Sequence, residues 1–186
     1  PGFLVSLHYA VQMSRPRLGY GSDIGGRRTP WIIGGILTLG IGATGASAAT
    51  MLMAIHPTWG FILSLIAFLL IGIGVGAAGT SLLVLLAKLV DGRRKPAAAT
   101  IVWIMMIVGF VITTTVVGHY LDPFSLQKLI FITALVSILA LSVTLLAVWN
   151  LEDNAIANKK PEAPIAKKPE FMIALKEVWQ EKDARI

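Results

Sequence analysis

The fold is decided by the stretch GFILSLIAFLLIGIGVGAAGTSLLVLLA, residues 60–87, in which 28 consecutive residues carry no charge. A helix needs about 20 apolar residues to cross a hydrocarbon core of roughly 30 Å. Three more uncharged stretches are long enough, at residues 31–55, 97–118 and 129–149. Residues 1–13 are also apolar, but this stretch is too short to cross a bilayer. The pattern therefore predicts an all-α, polytopic transmembrane helix bundle with four full spans and a partial first span.

The composition of the chain also indicates a membrane protein. Of its 186 residues, 55% are hydrophobic and 14% are charged, and the mean hydropathy is +0.76. So few charged residues could hardly cover a water-facing surface. The chain has no cysteine, which excludes a disulfide framework and cysteine metal sites. It begins with Pro1 rather than Met, so we expect a fragment of a longer protein.

Positive charge is concentrated in two alternate loops. Residues 14–30 and residues 88–96 each carry a net charge of +3, and together they account for the formal +6 of the chain. The two links at the other end of the spans, residues 56–59 and 119–128, together hold one acidic and one basic residue, Asp122 and Lys128. Because basic residues of short loops stay on the cytoplasmic side, both loops are predicted to face the cytoplasm. The high isoelectric point is therefore no evidence for binding nucleic acid.

Each basic loop ends in the order Gly-Arg-Arg-x-Pro, at residues 26–30 and 92–96. Pro30 and Pro96 fall where spans should begin, and proline suits the first helical turn because its missing N–H would have no partner there. Thr29 is a candidate N-cap for the first of these helices. The loop arginines are expected to lie in water or among lipid phosphates.

Two further segments are predicted beyond the membrane bundle of residues 1–149. Residues 150–170 include NKKPEAPIAKKPE, whose prolines and charges indicate a flexible cytoplasmic linker with little able to pack. In residues 171–186, apolar residues recur at helical spacing among charges. This spacing predicts an amphipathic cytoplasmic helix lying along the membrane interface.

The first basic loop also carries a motif, Gly-x-x-x-Asp-x-x-Gly-Arg-Arg. It resembles the loop signature between the second and third helices of the major facilitator superfamily, although the family's usual basic residue after the acid is isoleucine here. The resemblance implies a partial major facilitator fold, in which the four full spans are helices three to six and the loop is a gating latch between two halves. The acid either takes part in gating or only shapes the turn. The residues assigned to this gating loop are Gly19, Asp23, Gly26, Arg27 and Arg28.

Two longer stretches resemble a narrower group, the PucC-type members of that superfamily. They are LHYAVQMSRPRLGYGSDIGGRRTPWIIGG, residues 7–35, and WIMMIVGFVITTTVVGHYLDPFS, residues 103–125. The group is found in photosynthetic bacteria and cyanobacteria and is associated with assembly of light-harvesting complexes and handling of (bacterio)chlorophyll. The resemblance implies an integral protein of a bacterial inner or photosynthetic membrane. It also implies antenna or photosystem membrane proteins as partners and (bacterio)chlorophyll as a bound ligand.

Four glycines lie close together in the span of residues 60–87: Gly72, Gly74, Gly76 and Gly79. The last three fit the dinucleotide-binding pattern Gly-x-Gly-x-x-Gly, but that fold needs a strand before the pattern and an amphipathic helix after it. Helix packing is the better account, because Gly72-x-x-x-Gly76 lets a neighbouring helix approach closely. Alternatively, the absence of side chains at these glycines could leave room for a flat ligand.

His8 is the ionisable residue of the partial first span. Ionisable groups in membranes are costly and often functional, and a neutral imidazole can ligate a metal such as the magnesium of a chlorophyll. The alternative is a polar contact between helices. Arg15 follows His8 closely, so the imidazole is expected at a shallow depth in the bilayer.

The sequence shows no arrangement of nucleophile, base and orienting acid, and the four spans hold no Asp, Glu, Lys or Arg. We therefore expect neither enzyme activity nor a metal site. A proton-coupled transporter usually needs an ionisable carrier within the membrane, and these spans supply no acidic one. Three functions stay open: an assembly factor that passes pigment to antenna proteins, a small-solute secondary transporter working by alternating access, and a structural membrane partner without a ligand.

Overall fold

The computed structural model describes residues 2–13, 15, 27–149 and 151. These residues contain a 3₁₀ turn, Gly92–Arg94, and no strand. Four of the helices are long and apolar enough to cross a membrane, which confirms the predicted all-α bundle with four full spans. The α-helices are α1 (Gly2–Gln12), α2 (Thr29–Ile55), α3 (Pro57–Leu89), α4 (Lys95–Tyr120) and α5 (Leu126–Val148).

Several predictions concern residues outside the described ranges. Three residues of the predicted gating loop belong to this group, namely Gly19, Asp23 and Gly26. The predicted linker, residues 150–170, lies outside apart from Leu151, and the predicted amphipathic helix, residues 171–186, lies outside entirely.

The spanning helices begin at the proline signals. Pro30 and Pro96 lie in the first turns of α2 and α4, as predicted. The prediction that Thr29 caps α2 is wrong. The N-cap is Arg28, whose side chain makes no capping hydrogen bond, while its carbonyl oxygen accepts from the backbone N–H of Trp31 at 3.0 Å. The helix therefore starts one residue earlier than the hydroxyl-capping rule indicates.

A single residue, His56, separates α2 from α3. Its N–H donates to the Leu52 carbonyl at 2.7 Å, and its own carbonyl accepts from the Gly60 N–H at 2.9 Å. A Cβ added to Gly60 would lie 2.5 Å from the Met53 nitrogen, closer than real Cβ atoms come to other heavy atoms. Glycine at this position thus lets the chain reverse at once, and the two helices pack antiparallel along their length.

Helix α3 lies between α1 and α2 in the described part of the chain. One face of α3 packs against α2, another packs against α1, and α5 packs against α2 on the side away from α1. Near the start of α2 and the ends of α3 and α5, the side chains of Ile32, Leu85 and Val148 form a buried apolar cluster. We call this end of the bundle the basic end, because residues 27–28 and 93–95 also lie there.

None of the described residues of the spanning helix α4 is buried, whereas the spanning helices α2, α3 and α5 each contain at least one buried residue. Helix α4 touches α3 slightly next to the 3₁₀ turn. Large apolar side chains point outward along its whole length, including Trp103, Met105 and Phe110 at 62%, 67% and 72% exposure. In a membrane these side chains lie against lipid or against another protein surface.

Candidate functional site

The two arginines of the predicted gating loop that the structure describes lie in different surroundings. Arg27 is exposed, whereas Arg28 retains 1% of its accessible surface, and each makes a polar or electrostatic interaction within the chain. The expectation that the loop arginines lie in water or among lipid phosphates is therefore wrong for Arg28. The physical reason is position: Arg28 lies one turn before Ile32, where the ends of three helices converge.

The buried Arg28 makes the basic end a structural element as well as a charged surface. A guanidinium removed from water is costly unless it is paired and hydrogen-bonded. Arg28 is thus buried at the start of α2, beside the apolar cluster.

The glycines of α3 lie at two different helix contacts. A Cβ added to Gly74 would lie 2.6 Å from the carbonyl oxygen of Gly35 and 2.6 Å from the nitrogen of Leu39, both on α2. A Cβ added to Gly72 would lie 2.9 Å from Cβ of Val11 on α1. Since residues two apart on a helix point about 200° apart, these glycines let two neighbours approach α3 from opposite sides.

The other two glycines of the predicted set are not equivalent. Gly76 is buried. A Cβ added to Gly79 would meet no heavy atom within 4 Å in the described part of the chain. Gly79 therefore shares the sequence pattern without sharing the close helix contact there, because it faces away from the α2 seam.

Sequence reasoning missed the glycines on the opposite side of this seam. A Cβ added to Gly35 would lie 2.6 Å from the Ala78 nitrogen, and one added to Gly42 would lie 2.9 Å from the Ala67 carbonyl oxygen. Gly35 and Gly42 are seven residues apart, about two helical turns, and so lie on one face of α2. This seven-residue spacing was the available signal.

A polar cluster on α1 contains His8. The Gln12 side-chain nitrogen Nε2 lies 3.3 Å from Nε2 of His8 and donates to the Gly72 carbonyl oxygen on α3 at 3.4 Å. Arg15 Nε donates to Oε1 of the same glutamine. This contact fixes the orientation of the amide, because the oxygen faces the guanidinium and the NH₂ group faces His8 and α3.

The orientation of Gln12 determines what His8 can do. Its Nε2 lies within hydrogen-bond distance of the Gln12 side-chain nitrogen, which can donate to it. His8 Nδ1 is buried and has no hydrogen-bond partner among the described residues. The cluster thus joins α1 to α3 through Gln12, and neither nitrogen of His8 is turned toward open space.

An apolar groove runs between α2 and α5. It has a volume of about 400 Å³ and is open on one side. Small side chains form much of its lining, and a Cβ added to Gly40 on α2 would lie 3.0 Å from Cβ of Ser137 on α5. Beyond the groove, the Ser47 hydroxyl donates to the Thr133 hydroxyl at 3.0 Å and links the same two helices. The lining of the groove is mainly apolar.

Comparison with known proteins places the chain in a family. The family described as PUCC protein matches residues 1–186, the whole chain. The chain is 44% identical over 188 residues to the "Bacteriochlorophyll synthase 44.5 kDa chain" of Rhodobacter capsulatus, covering 100% of this chain and 42% of that relative. It is 27% identical over 183 residues to "Protein PucC" of Cereibacter sphaeroides, covering 91% of this chain and 39% of that relative.

The chain thus spans less than half the length of these relatives. A "Protein PucC" of Rhodobacter capsulatus is 30% identical over 168 residues, which cover 82% of this chain and 36% of that relative. No solved structure matches the chain significantly. A family match over the full length and 44% identity over the full chain lead to one conclusion: the chain belongs to the PUCC protein family.

Proposed function

We propose that this chain is part of a membrane protein that helps to assemble photosynthetic light-harvesting complexes by binding or delivering (bacterio)chlorophyll. One observation carries the proposal: the chain is 44% identical over its full length to a relative whose name contains bacteriochlorophyll. The proposal covers the portion of such a protein that this chain represents. We assign its residues to binding and packing rather than to catalysis.

The groove between α2 and α5 supports this proposal. (Bacterio)chlorophylls carry a long hydrocarbon tail, and within a membrane such a tail is held by van der Waals packing against apolar side chains. The groove lies between two membrane-spanning helices, so a tail could enter it from the lipid phase without crossing water. Its small lining residues leave the space that the tail would fill. We propose that this groove holds the tail.

The groove does not account for binding of the pigment's magnesium, which requires a ligand of its own. A magnesium ligand must present a lone pair to the ion, and His8 was the candidate. In the structure its Nε2 faces the Gln12 amide and its Nδ1 is buried, so this imidazole does not fit as a ligand in its present arrangement. We therefore route no step through the metal and interpret His8 as part of the polar contact between α1 and α3.

We further propose that the bundle is a portion of a major facilitator fold and that its first basic loop is a gating latch. The buried Arg28 at the convergence of α2, α3 and α5 supports this part of the proposal. We also propose that both basic loops face the cytoplasm, in a bacterial inner or photosynthetic membrane. Antenna or photosystem proteins would meet the exposed apolar side chains of α4.

Pigment retention by the full-length protein tests the proposed groove. Ala134→Phe on α5 would fill the groove, whereas Ala140→Phe makes the same change on the same helix away from the groove lining. We expect the absorbance of co-purified pigment per protein to fall at least fivefold for Ala134→Phe and to stay within 30% of the unmodified level for Ala140→Phe.

Other outcomes would favour a different function. Equal pigment retention by both variants would contradict the groove assignment. Pigment-free protein that takes up a small solute saturably into liposomes would favour secondary transport by alternating access. Normal antenna levels in a photosynthetic host from which the gene has been deleted would contradict a role in assembly.

A further inference from the structure

The order Gly-Arg-Arg-x-Pro occurs twice at the basic end, but its arginines differ in environment. In residues 26–30, Arg28 is 1% exposed and both arginines interact within the chain. In residues 92–96, Arg93 and Arg94 are both exposed. The same residue types at the same spacing therefore serve two purposes. The first arginine pair interacts with other residues of the chain, and the second pair is exposed at the surface.

The second loop carries three consecutive cations that no described residue neutralises. The side chains of Arg93, Arg94 and Lys95 make no hydrogen bond or ion pair with any of the described residues. Asp91 is the nearby acid, yet its carboxylate does not pair with them, and it contacts Arg94 through its backbone carbonyl, which accepts from the Arg94 N–H at 2.8 Å. The three consecutive cations thus present their charge outward.

Helix stability does not explain this placement. Arg94 is the N-cap of α4 and Lys95 is its first residue, with no acidic residue in the first turn. Cations are unfavourable at a helix N-terminus, which carries a partial positive charge. Neither does packing explain it, since α4 barely contacts the rest of the described chain. The described residues therefore leave these cations accessible to an external anion.

The surroundings of the loop identify the kind of partner. The loop connects two spanning helices, so it lies at the surface of a bilayer. Clusters of basic residues next to a membrane span attract anionic lipids. The guanidinium group forms paired hydrogen bonds to phosphate oxygens. We propose that Arg93, Arg94 and Lys95 bind the headgroup of an anionic phospholipid at this surface.

Lipid binding by the purified full-length protein in detergent micelles tests the proposal. Native mass spectrometry would count bound phosphatidylglycerol as its concentration is raised, with phosphatidylcholine as the zwitterionic comparison. Each cation near a membrane surface contributes about fivefold in affinity. We therefore expect the triple variant Arg93→Gln/Arg94→Gln/Lys95→Gln to bind phosphatidylglycerol about a hundredfold more weakly, with no change for phosphatidylcholine.

Two matched variants complete the test. Asp91→Asn removes the acid of the same loop and should strengthen phosphatidylglycerol binding, whereas Lys128→Gln removes a cation at the opposite end of the bundle and should leave it unchanged. The proposal is overturned if the triple variant binds phosphatidylglycerol within twofold of the unmodified protein, or if Lys128→Gln weakens binding equally. It also fails if inorganic phosphate at the same concentration displaces the lipid completely, because the site would then recognise free phosphate. None of these outcomes depends on pigment binding.

Discussion

Two glycines five positions apart on α3 show how much a single residue depends on its neighbours. Gly74 lies against the backbone of α2, and Gly79 faces open space in the described part of the chain. The letters of the sequence group them in one pattern. The sequence alone could not distinguish Gly74 from Gly79, because tertiary packing sets the direction from which a neighbouring helix approaches. The same limit explains Arg28, whose burial depends on three helix ends that are distant in sequence.

Substitution of these glycines by alanine tests the seam between α2 and α3. Gly74→Ala places a Cβ 2.6 Å from the Gly35 carbonyl oxygen, and overpacking of this kind costs about 1–3 kcal/mol. Gly79→Ala should be neutral or slightly stabilising, because alanine is the better helix former. Unfolding of the purified protein by sodium dodecyl sulfate, followed by circular dichroism, measures both. Equal destabilisation by the two changes would contradict the described seam.

At the scale of whole helices, the sequence predicted which segments span but not which segments meet. Span length and absence of charge are local properties, so the observed helices overlap the predicted spans at residues 31–55, 60–87, 97–118 and 129–149. The pairing of helices was not predictable because these segments are apolar on all faces, which leaves no polar side to indicate the lipid-facing direction. The contact between α2 and α5 is an example, since it depends on hydroxyls 86 residues apart.

A double-mutant cycle tests this contact between helices. Ser47→Ala and Thr133→Val remove the two hydroxyls, and the coupling free energy should be about 0.6 kcal/mol, the average for such bonds in membranes. Thr50→Ala is the matched control, because the Thr50 hydroxyl donates to the Ala46 carbonyl of its own helix at 3.0 Å. Its coupling to Thr133→Val should be near zero in the same unfolding assay. A coupling for Ser47 no larger than that for Thr50 would show that the two helices are not joined there.

At the scale of the whole molecule, the account rests on a bundle whose two basic loops share one end. The structure places the start of α2 and the end of α3 together, and the short link from residue 90 to residue 94 keeps the start of α4 nearby. Charge counting predicted the same grouping from the net charges of the loops. The two lines of reasoning are independent, since one uses packing and the other uses charge. The side of the membrane on which this end lies is our proposal.

Site-directed labelling tests that arrangement most directly, and these 186 residues contain no cysteine that would also react with the label. Single cysteines would replace Ser22 in the first basic loop, Gly92 in the second and Asp122 at the opposite end of the bundle. Gly92 tolerates the change because a Cβ there meets nothing within 4 Å. A membrane-impermeant maleimide added to sealed vesicles of known orientation should label Ser22→Cys and Gly92→Cys from the cytoplasmic side and Asp122→Cys from the other side. Labelling of Ser22→Cys and Gly92→Cys from opposite sides would contradict the account.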